Sequence, residues 1–296
     1  MTHANRHILK ALRVFLGEDN LVVIRNEGGL ASQIAFWALG HEFTQLGFNV
    51  KFDNSWFKSH GLDINGRFAR NLDFPKAFPD LELPEASRLQ SFVLRKLNNV
   101  REGNLDDIAT PVYLGGFYDG GSYDRWNLVQ KYQSYLFEKF APGEEYFTER
   151  DIEILEKIER DENACGVHVR RGDLANDHRD YGKSVGQEYF LQAVEKMRSL
   201  NENTCFYFFS DEPDWIKANI ANRLGPDVPH VVVDDNGSDR GFMDLYLMSR
   251  CRSFISSQGA FAKYARILGD PTRLIIEPSS RALFDEKDKN VIVLPV

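Results

Sequence analysis

Short apolar runs alternate along this chain with stretches of helical spacing. Residues 21–24 are apolar and end at the polar break Arg25-Asn26-Glu27-Gly28-Gly29; residues 30–48 then place Leu30, Ile34, Trp37 and Ala38 on one helical face. Gly47 supplies a stop, and residues 49–52 resume as a strand that ends at Asp53. Strand, glycine turn, helix and strand make a βαβ unit of the doubly wound kind. From 61 to 106 the pattern loosens around Pro75, Pro79 and Pro84. Residues 113–118 predict a further strand running into an aromatic loop, and 128–140 a helix, with Pro142-Gly143 after it as the best linker.

The alternation then restarts. Helices are predicted over 151–161, 189–200, 242–248 and 261–268, and strands over 164–169, 205–209, 231–233, 253–255, 274–276 and 291–294. Ser210-Asp211-Glu212-Pro213-Asp214 opens another helix with good capping residues. Strands alternating with helices predict an α/β fold with parallel sheets. No tandem repeat or low-complexity segment interrupts it.

Ligands of an open parallel sheet bind beyond the carboxyl ends of its strands. Three such ends carry polar groups: His168 to Asp173, Ser210-Asp211, and Ser256-Ser257-Gln258. Guanidinium, hydroxyl, amide and carboxylate groups together suit a nucleotide diphosphate, with arginine bonding phosphate oxygens in bidentate fashion. Gly28-Gly29 would add free amides at a helix start, although Gly-Gly is also an ordinary strand-to-helix turn. Ser32 and Gln33 stand where a dinucleotide fingerprint wants glycine. His168 alternates with valines and reads equally as a satisfied half-buried histidine. Arg171-Gly172-Asp173 is also the adhesion tripeptide, which needs an exposed loop tip that nothing in the sequence suggests. Tyr118, Tyr123 and Trp126 would make a sugar-stacking platform or an ordinary aromatic surface.

Composition narrows the choice. With 43% hydrophobic and 27% charged residues, the 296-residue chain is an ordinary packed protein rather than a disordered one. A net charge of -8 argues against nucleic acid as a partner and leaves Arg170-Arg171 as a local cationic site. The three cysteines form no CxxC pair and read as buried free thiols of a reducing compartment. No zinc spacing, calcium loop, P-loop lysine or G-x-S-x-G elbow is present. The N-terminus has no apolar signal core, and no apolar run approaches the roughly 20 residues of a bilayer span. A soluble, cytoplasmic chain is expected, with room for peripheral association with the inner membrane.

The motifs also carry a resemblance. His168-Val169-Arg170-Arg171-Gly172-Asp173 resembles the H-x-R-R-G-D signature of the α-1,2-fucosyltransferases, glycosyltransferase family 11. Gly28-Gly29-Leu30-Ala31-Ser32-Gln33 is similar to the family's G-G-L-G-N-Q, Phe208-Phe209-Ser210-Asp211-Glu212 to its F-S-D-D stretch, and Asp244 to Cys251 to its D-M-x-L-M-S-x-C helix. Ser256-Ser257-Gln258 is similar to the S-S-Q of the related α-1,6 enzymes. The matches stand in the family's order. They imply a GT-B fold of two Rossmann-like domains facing across a cleft, with 1–145 on the acceptor side and 146–296 binding GDP-fucose.

The resemblance further implies inverting transfer of fucose to the 2-hydroxyl of a galactose-containing oligosaccharide, without a metal or other cofactor, in surface-glycan (O-antigen) synthesis. Arg170 would hold the β-phosphate, supported by Arg171 and Asp173. Asp244 would read the guanine edge, and Gly28, Gly29, Gln33, His168, Ser210, Asp211, Ser256, Ser257 and Gln258 would complete the donor site. Glu27, Asp173 and Asp177 are candidate bases for the acceptor hydroxyl. A GDP-sugar transferase of another linkage and a non-catalytic carbohydrate-binding protein are the alternatives.

Overall fold

Every strand pairing among the described residues of the computed structural model is parallel, and the strands form two sheets in two separate units. The structure describes residues 3–59, 61–62, 69–101, 108, 110–116, 125–171, 184–237, 239–279 and 290–296.

The first unit, Met1–Pro75 with Pro79–Tyr132, contains α1 (His3–Leu16), β1 (Leu21–Arg25), α2 (Leu30–Gln45), β2 (Asn49–Asp53), α3 (Ser55–Ser59), the first two residues of α4 (Phe74–Ala77), α5 (Arg88–Leu97), β3 (Asn99–Val100), β4 (Val112–Leu114) and α6 (Arg125–Lys131). Its sheet order is β2-β1-β4-β3. β1 is central, so its four apolar residues are fully enclosed, as a strand covered on both faces requires. α2 is buried nearly all round rather than on one face, because Trp37 stacks on Phe74 while Glu42 anchors α6 through Lys131 and Tyr132. The elements expected from the sequence include neither α1 nor α5, although both are amphipathic. α5 begins with a capping box, Ser87 and Gln90 exchanging side-chain and backbone bonds, and its Leu89 and Phe92 stay exposed.

The second unit, Lys76–Phe78 with Gln133–Val296, contains α7 (Gln133–Lys139), α8 (Glu149–Arg160), β5 (Ala164–Val169), α9 (Gln187–Leu200), β6 (Cys205–Ser210), α10 (Pro213–Asn219), β7 (His230–Val233), α11 (Gly241–Arg250), β8 (Ser253–Ile255), α12 (Ala260–Ile267), β9 (Leu274–Pro278) and β10 (Val291–Leu294). The sheet order β10-β9-β8-β5-β6-β7 is that of a doubly wound Rossmann sheet, with the chain reversing direction between β5 and β8. The linker expected at Pro142-Gly143 is not where the units divide. The division falls after Tyr132, and the single helix expected over 128–140 is two helices. Glu42 binds Lys131 and Tyr132 to the first unit, while Phe140 stacks on Phe78 at 5.0 Å and its carbonyl accepts from Arg250 in the second.

Cys165 and Cys251 are buried, and burial raises both thiols well above their ordinary range. Arg273, only 3% exposed, fastens one side of the second sheet. Its guanidinium donates to the carbonyls of Met248 and Cys251 at the end of α11, and to those of Ala265 and Arg266 at the end of α12. A cation at two helix carboxyl ends satisfies orphan carbonyls and both dipoles. Arg273→Met should therefore cost about 3 kcal/mol of stability by stranding buried carbonyls, read as a lower urea midpoint at unchanged slope. A variant as stable as the parent would refute that account.

Candidate functional site

The reversal between β5 and β8 brings their carboxyl ends side by side, with β6 on the other flank of β5. His168 to Arg171, Ser210-Asp211 and Ser256-Ser257-Gln258 thus share one edge of the second sheet, the position where doubly wound sheets take ligands.

Asp211 organises the arginine pair. Its Oδ2 lies 2.6 Å from Nη1 of Arg170, and its Oδ1 accepts the backbone N–H of Arg171 at 2.9 Å. Arg171 turns elsewhere. Its guanidinium lies 4.0 Å from the centre of the Trp215 ring, with Glu212 3.6 Å from Nε and Ser184 accepting from Nη1. Stacking on an indole holds a guanidinium flat. Ser210 ties the two strand ends together: its hydroxyl donates to the Val169 carbonyl at 2.7 Å and accepts from the Glu212 N–H. Asp211, grouped by sequence with the donor-binding residues, is thus committed to the arginines, and a carboxylate there would repel a phosphate placed directly on it.

Ser257 is the hub on the β8 side. Its Oγ is 2.8 Å from Nδ1 of His168 and accepts the Arg170 N–H at 3.3 Å. His168 is 5% exposed and packs beside the Phe261 ring. Burial first, and the charge of Arg170 second, lower its pKa to about 3, so the ring stays neutral. Of the two readings of His168, the geometry supports the satisfied histidine, buried and bonded to Ser257. Ser256 turns its hydroxyl to the Ser257 carbonyl, and Gln258 accepts from the Val185 N–H. All three residues are at most 2% exposed.

Asp244 stands in the first turn of α11, at the same edge. Asn236 donates to its Oδ1 at 2.8 Å and also to Asp151, and Arg240 bonds both Asn236 and Asp151. Asp151 is in turn the capping partner of Thr148 at the start of α8. Loss of hydration, opposed by the Asn236 bond and helped by the Asp151 charge, raises Asp244 to about 7. A carboxyl so poised exchanges its proton near neutrality.

In the first unit, the carboxyl end of β1 lies at the corresponding reversal, between β2 and β4. Gly28 has φ 81°, a left-handed backbone that favours glycine. Glu27, a candidate base, is fully buried and 2.9 Å from the Arg25 Nε. A Cβ on Gly116 would sit 2.2 Å from its Oε1, so a bare glycine backbone lies over the carboxylate. Glu27 offers no face to an acceptor hydroxyl in this arrangement. Gln33 is likewise enclosed. Its Nε2 donates to the carbonyls of Gly28 and Asn71, and its Oε1 accepts from the N–H groups of Asp73 and Phe74. All four capacities of the amide are used. Gln33 clamps a loop and has none left for a donor. A carbonyl-rich neighbourhood distant in sequence has no signature at position 33 itself.

Asp173, Asp177, Tyr118 and Tyr123 lie outside the described residues, and Trp126 is half-buried at the start of α6. Trp215, Phe261, Asn236, Arg240 and Asp151 do not stand out in the sequence. Only the capping pair Thr148 and Asp151, three residues apart ahead of an amphipathic helix, left a readable signal. No group of three or more His, Cys, Asp or Glu able to hold a metal occurs among the described residues.

The model of the family described as "Glycosyl transferase family 11" matches residues 135–293. No curated protein matches the chain. The solved structure of fucosyltransferase NodZ from Bradyrhizobium is similar at 17% identity, with a TM-score of 0.48, covering 84% of this chain and 93% of that one. POFUT1 in complex with GDP is similar at 13% identity and a TM-score of 0.45, covering 84% and 95%. An Arabidopsis thaliana FUT1 mutant in complex with GDP is similar at 14% identity and a TM-score of 0.44, covering 93% and 73%.

The two shifted groups make opposite contributions to stability. His168, lowered from 6.5 to about 3, stabilises the fold fully above 6.5, and this is lost as pH falls toward 3. Asp244, raised from 3.8 to about 7, contributes fully below 3.8 and loses its contribution as pH rises toward 7. Between about pH 4.5 and about 6.5 each changes stability by about 1.4 kcal/mol per pH unit, with opposite sign. Asp244→Asn should therefore gain stability relative to the parent by about that slope as pH rises, measured by urea unfolding across the window. Parallel pH profiles of variant and parent would show that Asp244 is not held protonated.

Proposed function

Because the chain belongs to glycosyl transferase family 11, we propose that it is an inverting fucosyltransferase moving L-fucose from GDP-fucose to the 2-hydroxyl of a terminal galactoside, in the assembly of a surface glycan of O-antigen type. The observation that carries the reading is the Asp211-held Arg170 at the sheet's reversal point, with Asp244 at the same edge. The second unit takes the donor in this reading, and the first the acceptor.

Departure of GDP leaves positive charge on the sugar ring and added negative charge on the diphosphate. A guanidinium already fixed by the Asp211 carboxylate, on a backbone that Ser257 holds, stabilises that charge without reorganising, and such preorganised stabilisation usually lowers a barrier more than any other single effect. Backbone amides of Arg170 and Arg171 are spent on Ser257 and Asp211, so the phosphate contact falls to the Arg170 side chain. An ionised Asp244 accepts from guanine N1–H and the 2-amino group, the complementary pattern for that base. With Glu27 enclosed, deprotonation of the acceptor hydroxyl falls to Asp173 or Asp177. No metal is required in this scheme, because arginine supplies the cationic stabilisation. A purely sugar-binding protein would leave the Arg170–Asp211 pair and Asp244 without a task.

Incubation with GDP-fucose and a panel of small galactosides, followed by linkage analysis of the product, tests the reaction and its regiochemistry. Transfer to a position other than the 2-hydroxyl would overturn the linkage, and sugar binding without GDP binding would overturn the enzyme. Arg170→Ala should lower the transfer rate by about a hundredfold or more. Near-parental turnover of that variant would remove Arg170 from the chemistry. Transfer should also continue in EDTA at an undiminished rate, and strict dependence on an added divalent ion would count against the scheme.

A further inference from the structure

Two helices of the first unit present outward faces that are apolar and basic at once. In α5, Ser91 and Leu94 point to the core, and Leu89, Phe92 and Lys96, spaced i, i+3, i+7, lie on the opposite side. Leu89 and Phe92 are each 57% exposed, and Arg88 and Arg95 are exposed beside them. In α1, Leu12 is buried, while His7, Lys10 and Val14 fall opposite at the same spacing, with Val14 81% exposed; Phe15, three residues past Leu12, stands at the flank and is 60% exposed. Both helices rest on one cluster, where Leu12, Leu16, Val93 and Leu94 meet Leu21, Val23 and Tyr113. Their outward faces therefore belong to one side of the unit.

The charge on these helices runs against the rest of the chain. Together they hold six Lys and Arg and no Asp or Glu, in a protein of net charge -8. Of the acidic residues beside them, Glu18 is committed to Lys51 and Gln90 and Glu85 to Lys58, and Asp19 is exposed in the turn after α1. Aromatic and aliphatic side chains standing out of a basic surface match the boundary of an anionic bilayer. There the apolar groups enter the headgroup region and the cations meet lipid phosphates. A second copy of the same patch fits poorly, because it would set basic helices against basic helices.

We propose that α1 and α5 form a peripheral docking face for an anionic lipid surface. No described helix is long and apolar enough to cross a membrane, so on this reading the two helices lie on the surface. The inference does not depend on the transfer reaction proposed above.

Co-sedimentation of the full chain with vesicles tests it. The parent should pellet with phosphatidylcholine vesicles containing about a third phosphatidylglycerol, and at least about tenfold more weakly with phosphatidylcholine alone. Binding should fall steeply with added salt. The double variant Leu89→Glu/Phe92→Glu should lose binding by about tenfold or more, and Arg95→Glu/Lys96→Glu likewise, with unfolding midpoints matching the parent. Failure of the parent to pellet with the anionic vesicles would overturn the proposal, as would equal pelleting by well-folded variants. Self-association that both variants abolish, without any vesicle binding, would reassign the face to a protein contact and overturn it too.

Discussion

One carboxylate holds two consecutive arginines by different handles. Asp211 takes the Arg170 side chain with one oxygen and the Arg171 backbone N–H with the other. The second contact fixes where the chain goes after β5, and the first fixes where a guanidinium stands when it gets there. Side chains alternate along an extended backbone, so two adjacent arginines cannot both face one ligand. The structure resolves this by giving Arg170 to the sheet edge and laying Arg171 on Trp215. Ser210 and Ser257 complete the frame from the flanking strands, and the parallel register of β6-β5-β8 makes those positions adjacent.

The same edge joins groups that resist titration to one that invites it. His168 is buried and neutral, so Ser257 keeps its partner across the ordinary pH range. Asp244 is built the other way, a carboxyl raised to about 7 inside a chain of bonds running through Asn236, Arg240 and Asp151 to the cap of α8. A helix cap far away in sequence thereby supports a candidate recognition group. The cost of packing polar groups so tightly is met by near-complete hydrogen bonding, which is what makes such networks specify one arrangement.

Much of this was legible from local pattern. β5, β8 and β10 have the predicted bounds, because each is a short apolar run between strong breakers. The site's place at the carboxyl ends of parallel strands followed from strand–helix alternation and polar residues at strand ends, whereas the strand order that brings β5 beside β8 did not. What stayed hidden depends on contacts between distant residues. Gln33 reads as a donor-site position beside the two glycines, yet its amide is consumed by a loop some forty residues on. Glu27 reads as an accessible carboxylate beside a glycine turn, yet Gly116 lies over it. α1 and α5 are both amphipathic in sequence, and what their periodicity does not show is that Val14, Phe15, Leu89 and Phe92 stay exposed.

Trp215 has a consequence of a different kind. The sequence holds four tryptophans, and Trp37, Trp56 and Trp126 all belong to the first unit. Trp215 alone lies in the second, with its indole against the guanidinium of the residue that follows Arg170. Removing the other three would leave a single-emitter protein whose ultraviolet fluorescence reports on the arginine edge. An anion that draws Arg171 away from the ring, or presses it closer, would register optically without any attached label.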